Sequence, residues 1–309
     1  MDLRNKYYLR NTASGLGFYM FTSSLILYLS SYTMTFAGII NGVSYDNFYF
    51  TALIDASASI LSMFIIGLLY LKLSRTSAQS VVPVRKVNFS LLYKIVLAGL
   101  AMSLLSNFVT DILLNNLSLF GYENHLDMTY TTNTPLENVI YFLRVALLPA
   151  LVEEFMFRGI ILHKLRAFGD GFAVLLSSLM FGLIHGNLVQ IPFAFIVGLA
   201  LGFAVVKTGS IIPSIIIHFL VNGSSVIVTI LEKSVDETTL NICYGLFLII
   251  VFIGAILSAI GLGRIKGFFS LKSNPLFPIK PSVRAALTST GMIFALIFVI
   301  LEIILSLSI

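Results

Sequence analysis

The chain has 309 residues, 58% of them hydrophobic and 11% charged, and its mean hydropathy of +0.98 lies far outside the range of a water-soluble domain. A net charge of +5 and a pI near 9.2 would suit nucleic-acid binding, but the basic residues form no patch and instead follow the loops between apolar runs. The single cysteine, Cys243, can close no internal disulfide and cannot complete a thiolate metal site, so the fold rests on helix packing.

Arg4, Lys6 and Arg10 precede a long apolar run over residues 15–40. It is longer than a signal-peptide core and lacks a small-residue cleavage site, which predicts a retained first span. A second span, 48–71, carries Asp55 and leads into a basic loop with Lys72, Arg75, Arg85, Lys86 and Lys94. The third, 91–114, is followed by a polar segment, 115–135, whose ionised groups are Glu123 and Asp127. A fourth begins near Glu137 and ends in the stretch LVEEFMFRG, residues 151–159. Gly169-Asp170-Gly171 makes a turn before a fifth span, 172–185, and the sixth, 191–206, ends at Lys207. The seventh, 211–231, places Pro213 in its first turn, where the missing N–H does least harm. Residues 240–262 and 287–304 complete the set, with a basic loop between them.

Alternating the loops from a cytoplasmic N-terminus puts all of the 19 Lys and Arg residues except Arg144 and Lys233 at the inner face. Spans five and six are short, so the expectation is an all-α polytopic membrane bundle of about eight to nine transmembrane helices. It forms a single membrane-embedded domain over residues 1–309, with a motif-bearing core at about 137–225. The composition, without tryptophan and rich in Ile, Phe, Asn and Ser, suits a bacterial cell membrane.

Ionised groups inside a bilayer cost about 3 kcal/mol each on insertion scales, so those in 151–159 need partners or a purpose. Glu154 and Arg158, four apart, share a helix face and can pair, while Glu153 is turned by about 100° toward another neighbour. One carboxylate is thereby structural and the other is available for chemistry. Span five places Phe181 and His185 on one face, and span seven places His218 and Asn222 on another. Counted from Lys164, Asp170 and Lys207, the side chains of Glu153, His185 and His218 lie roughly 16, 22 and 16 Å along their helices, a depth at which they can meet. His125 and His163 are expected to be solvated, and Asp55, Asp111 and Glu302 to have packing roles or to partner Arg144.

Such groups suit amide hydrolysis. A carboxylate in a partly desolvated site accepts a proton from water, histidines position that water or shuttle protons, and an Asn N–H donates to the developing oxyanion. Two His plus a Glu is also a zinc-ligand composition, so either no cofactor or a divalent metal held by Glu153, His185 and His218 is compatible with the sequence. Other intramembrane proteases fit less well. There is no HExxH, the Gly169-Asp170 pair lies in a turn, and Ser210 and Ser224 follow glycines without a surrounding motif.

Taken in order, Glu153-Glu154-x-x-x-Arg158, Phe181-x-x-x-His185 and His218-x-x-x-Asn222 resemble the three motifs of the CPBP family of intramembrane proteases. That family includes the CAAX prenyl endopeptidases and bacterial Abi, or bacteriocin-immunity, homologues. The resemblance implies an endopeptidase cutting at the cytoplasmic side of the membrane. In it Glu153 activates water, His185 and His218 bind that water or a metal, Asn222 serves the oxyanion, and Glu154 with Arg158 braces the helix. The partners it implies are membrane lipid and a peptide or membrane-protein substrate, with no nucleic acid. A catalytically silent scaffold or immunity protein, and a proton-coupled transporter relaying through Glu153 and the histidines, are the competing readings.

Overall fold

A computed structural model of the protein describes residues 1–44, 46–119, 121 and 132–307; Glu123, His125 and Asp127 of the polar segment lie outside them. Among the described residues all regular structure is helical. Hydrocarbon offers no partner to a backbone amide, so an apolar chain crossing it must satisfy its hydrogen bonds within each segment. Broad apolar faces remain on the outside, such as Ile249, Ile250, Phe252 and Ile253 on one helix and Ile297, Ile300 and Leu301 on another. A soluble surface would not carry them, whereas lipid accepts them. The chain is an integral, multi-pass membrane protein.

Helix α1, Leu3–Ile40, starts well before its apolar run because the Asp2 carboxylate caps it, accepting from the Asn5 N–H at 2.7 Å. Helix α2 spans Phe48–Leu73 and α3 spans Phe89–Ser118. Helix α4 is a composite over residues 135–168. It opens with a capping box between Thr134 and Glu137 and carries two π-helical stretches, Leu143–Leu147 and Phe155–Ile161. The glutamates therefore stand in the middle of the fourth helix, where the sequence placed its end.

Helix α5, Asp170–Leu183, has 14 residues, about 21 Å, and cannot cross hydrocarbon about 30 Å thick. It rises partway, turns at Gly186 with φ +63°, and returns as α6, Gln190–Thr208. Helices α7, Ile212–Leu231, and α8, Glu237–Gly263, follow. Last come a short amphipathic helix, α9, Ile279–Leu287, and α10, Thr290–Leu307. Among the described residues seven helices are long and apolar enough to span a membrane, and the interrupted α4 is the further candidate; α5, expected as a span, is too short to cross. Helix α9 was not expected. Its buried side, Ser282, Ala285 and Ala286, is small and interleaved with Lys280 and Arg284, so the stretch reads as a basic loop.

Helix α4 runs through the centre. On one side α1 packs against α2 and α10, and on the other α3 and α6 pack against α5, α7 and α8. The α1–α10 crossing is a backbone contact, because a Cβ on either Gly17 or Gly291 would strike the facing main chain. The Gly291 N–H also donates to Ser14 Oγ at 2.9 Å.

The basic loops meet at one end of the bundle. Lys207 Nζ donates to the Ser270 carbonyl at 2.6 Å, the Asp170 N–H to the Lys272 carbonyl at 2.9 Å, and Arg10 Nη2 to the Thr288 carbonyl at 2.8 Å. This basic end and the opposite end, where α1 finishes and α2 begins, are the two faces to which the site must relate.

Candidate functional site

Pro149 shapes the site. It has no N–H to give the Val145 carbonyl four residues earlier, and Val145 lies in the π-helical stretch that precedes it. The freed carbonyl is taken by another helix: Asn222 Nδ2 of α7 donates to Val145 O at 3.1 Å. One amide hydrogen of Asn222 is thus committed to mending α4, and its second N–H remains. Sequence reasoning assigned Asn222 to the oxyanion and passed over Pro149. The signal was a proline four residues after Val145 in an apolar helix, with an amide in a neighbouring one.

The second π-helical stretch begins immediately after Glu154, and the two glutamates diverge. Glu154 is fully buried. Its Oε1 accepts from Arg158 Nη1 at 3.0 Å and from His218 Nδ1 at 3.0 Å. Arg158, also buried, continues to the Gly198 carbonyl at 3.2 Å and stacks over the Phe181 ring, 4.2 Å from its centroid. The i,i+4 ion pair is as expected from spacing. The bond from His218 to Glu154 rather than to Glu153 was not.

Glu153 keeps 16% of its side-chain surface and accepts no hydrogen bond among the described residues; His218 Nε2 stands 3.8 Å from its Oε2. That gap is too long for a direct bond. Because a carboxylate can only accept, the bond to Glu154 fixes the proton on His218 Nδ1 and leaves Nε2 as the acceptor of the neutral ring. His185 is held likewise, with Nδ1 2.9 Å from the Phe181 carbonyl. Phe181 lies between the imidazoles, edge-on to His185 at 5.3 Å and to His218 at 5.7 Å.

Glu153, His185, His218 and Asn222 all line one cavity of about 850 Å³. Glu154 and Arg158 do not reach it; they form its support. The cavity also takes in Tyr28, Ser31, Tyr32 and Thr35 of α1, Asp55 and Ser59 of α2, and Ser225 and Thr229 of α7. Asp55 pairs with Arg144 at 2.7 Å, joining α2 to α4 within it. Glu302 is buried against Gly186, next to His185 but outside the cavity. His163, expected to be solvated, is half-buried in a separate surface pocket at the basic end, lined also by Arg166, Asp170 and Lys272.

The residues of α4 and α7 that line the cavity run from Glu153 and His218 toward the end away from the basic loops, while cleavage was expected at the basic end. Among the described residues, every position of α4 from Glu154 to Leu162 is buried, as are Ser214 and Ile217 of α7 and Ile211 just before it. The Ala78–Val81 turn and the strand of chain after it seal that end, with the Ile211 N–H donating to the Pro83 carbonyl at 2.9 Å. As for a metal, no three His, Cys, Asp or Glu side chains converge to hold one among the described residues. Each imidazole commits its Nδ1 and keeps Nε2 free, the arrangement a metal-ligating histidine also uses, but Glu153, His185 and His218 are not drawn together as a ligand triad.

Residues 135–224 match the family described as type II CAAX prenyl endopeptidase Rce1-like. A curated relative, the membrane-embedded CAAX protease MroQ of Staphylococcus aureus (strain USA300), is 31% identical over 121 residues, which cover 35% of this chain and 48% of that protein. The chain thus aligns with about half the length of the curated relative it matches. No solved structure matches it. Both matches bear out the CPBP resemblance read from the three motifs.

Proposed function

With residues 135–224 of Rce1-like sequence as the premise, we propose that this protein is an intramembrane endopeptidase in which Glu153 activates the attacking water. The observation that carries the reading is the division of labour between adjacent carboxylates. Glu154 is neutralised and immobilised by Arg158 and His218, whereas Glu153 faces the cavity with the acceptor nitrogen of His218 3.8 Å away. A water there can give one proton to Glu153 and the other to an imidazole Nε2 in hydrogen bonding, which aims its oxygen lone pair at a peptide carbonyl. Glu153 takes the proton as the C–O bond forms, the remaining N–H of Asn222 meets the oxyanion, and the proton returns to the leaving amine as the C–N bond breaks. Glu154, through His218, is a positioning residue.

The N-terminus is assigned to the cytoplasm by the grouping of Lys and Arg at one end, in what the composition suggests is a bacterial cell membrane. The substrate is a peptide or a membrane-protein segment. Expression of Glu153→Gln tests the assignment: loss of processing, with the variant folded and inserted, supports the peptidase. Full biological activity in that variant would instead favour the scaffold reading, and gradient-dependent uptake into sealed vesicles the transporter.

A further inference from the structure

We propose that substrates reach Glu153 from the membrane face opposite the basic loops, so that the protein acts on exported peptides or outer juxtamembrane segments and not on tails offered from the cytosol. This rests on the peptidase reading above and names the side and class of its substrate.

The first ground is where the cavity goes. It includes Thr229, two residues from the end of α7, and Thr35, five from the end of α1, so its mouth lies within about 3 to 8 Å of those helix ends. Both ends belong to the face away from the basic loops, since α1 begins and α7 starts at the basic end. The second ground is the seal on the other side. From Glu153 to Lys164 is about 16 Å of helix, and α4 over 154–162 has no exposed side chain. Loop 76–88 is fastened across that end: the Arg85 N–H donates to Ser210 Oγ at 3.2 Å, and Lys164 Nζ bonds to Thr76 Oγ1. The third ground is charge. Of the 19 Lys and Arg residues only Arg144, Arg158 and Lys233 lie away from the sealed end, and basic loops stay in the cytoplasm.

The depth sets a requirement on the substrate. His218 is 13 residues from Leu231, about 20 Å along α7, and an extended chain covers about 3.3 Å per residue. About six extended residues must therefore descend from the mouth to the scissile bond. The walls suit that conformation, because the hydroxyls of Tyr28, Ser31, Tyr32, Ser225 and Thr229 offer donors and acceptors to an unpaired backbone.

Sidedness can be measured on the full chain. In a Cys243→Ser background, single cysteines replace Thr35 and Thr229 at the mouth, Ser178 buried between α5 and α6 on the basic side of His185, Ser234 as the opposite-face control and Ser270 as the basic-end control. Intact cells and inverted vesicles are treated with a membrane-impermeant charged maleimide. Thr35→Cys and Thr229→Cys are expected to label in intact cells with Ser234→Cys, while Ser270→Cys labels only in inverted vesicles and Ser178→Cys in neither. Labelling of the mouth cysteines only in inverted vesicles, or of Ser178→Cys from the basic end, would overturn the proposal. A mixture of fluorogenic random decapeptides is then added outside sealed proteoliposomes of known orientation. Turnover confined to vesicles with the opposite face outward supports the route, and turnover confined to the reverse orientation overturns it while leaving the peptidase intact. No turnover from either side, with mouth labelling as expected, would remove the peptidase reading and leave the opening where the structure places it.

Discussion

The two halves of α4 are built on opposite terms. From Glu154 to Leu162 every side chain is buried and the charged ones are matched, whereas from Leu136 to Glu153 exposed and buried positions alternate and the helix borders the cavity. The boundary falls between two identical residue types. A rotation of about 100° and one residue of rise move a carboxylate from a dry, braced position to a wet, unbraced one. What separates their roles is the partner set supplied by Arg158 and His218, not the side chain itself.

Three substitutions sharpen or break that contrast. The largest effect is expected on the wet side: Glu153→Gln should lower turnover by about a thousandfold at unchanged thermal stability in detergent. Equal losses of stability and turnover would mean that Glu153 is structural after all. On the dry side, Arg158→Ala leaves Glu154 charged without its cation and should cost about 3 kcal/mol of stability, read by thermal or denaturant unfolding. Adding Glu154→Gln should recover part of that loss, since the uncompensated charge is gone.

A smaller effect is expected at the mend in the helix. Asn222→Ala removes the donor to Val145 O and should cost about 1 kcal/mol. Pro149→Ala in that background gives the carbonyl an N–H of its own helix and should restore stability. Turnover should remain low in the double variant if the second amide hydrogen serves the oxyanion, so the two readouts separate the roles. At the far end of α4, Thr134→Ala breaks the capping box and should cost only about 0.5 to 1 kcal/mol, with turnover unaffected.

How much of this was legible follows the range of the interactions. Apolar runs of membrane length disclosed the spans, and the i,i+4 spacing of Glu154 and Arg158 disclosed their pair, because both are local. The bond from His218 to Glu154 joins residues 64 apart, and nothing in either motif states which glutamate the imidazole prefers. The direction of the cavity was also hidden. It depends on α1 and α2, which carry no motif, and on loop 76–88, whose bonds to Lys164, Ser210 and Ile211 join residues far apart in the sequence. Helix α5 was read at nearly its full extent, yet that it turns back partway and sets His185 at the tip of a hairpin follows from its packing on α6.

The contact between Gly17 and Gly291 has a temporal corollary. Helix α1, which supplies one wall of the cavity, is made before the motif-bearing helices, while α10, the strut its backbone rests on, is made after them. Glu153, His185 and His218 have thus all been synthesised before that strut exists, so the cavity wall supplied by α1 gains its backing only after the motif-bearing helices are made.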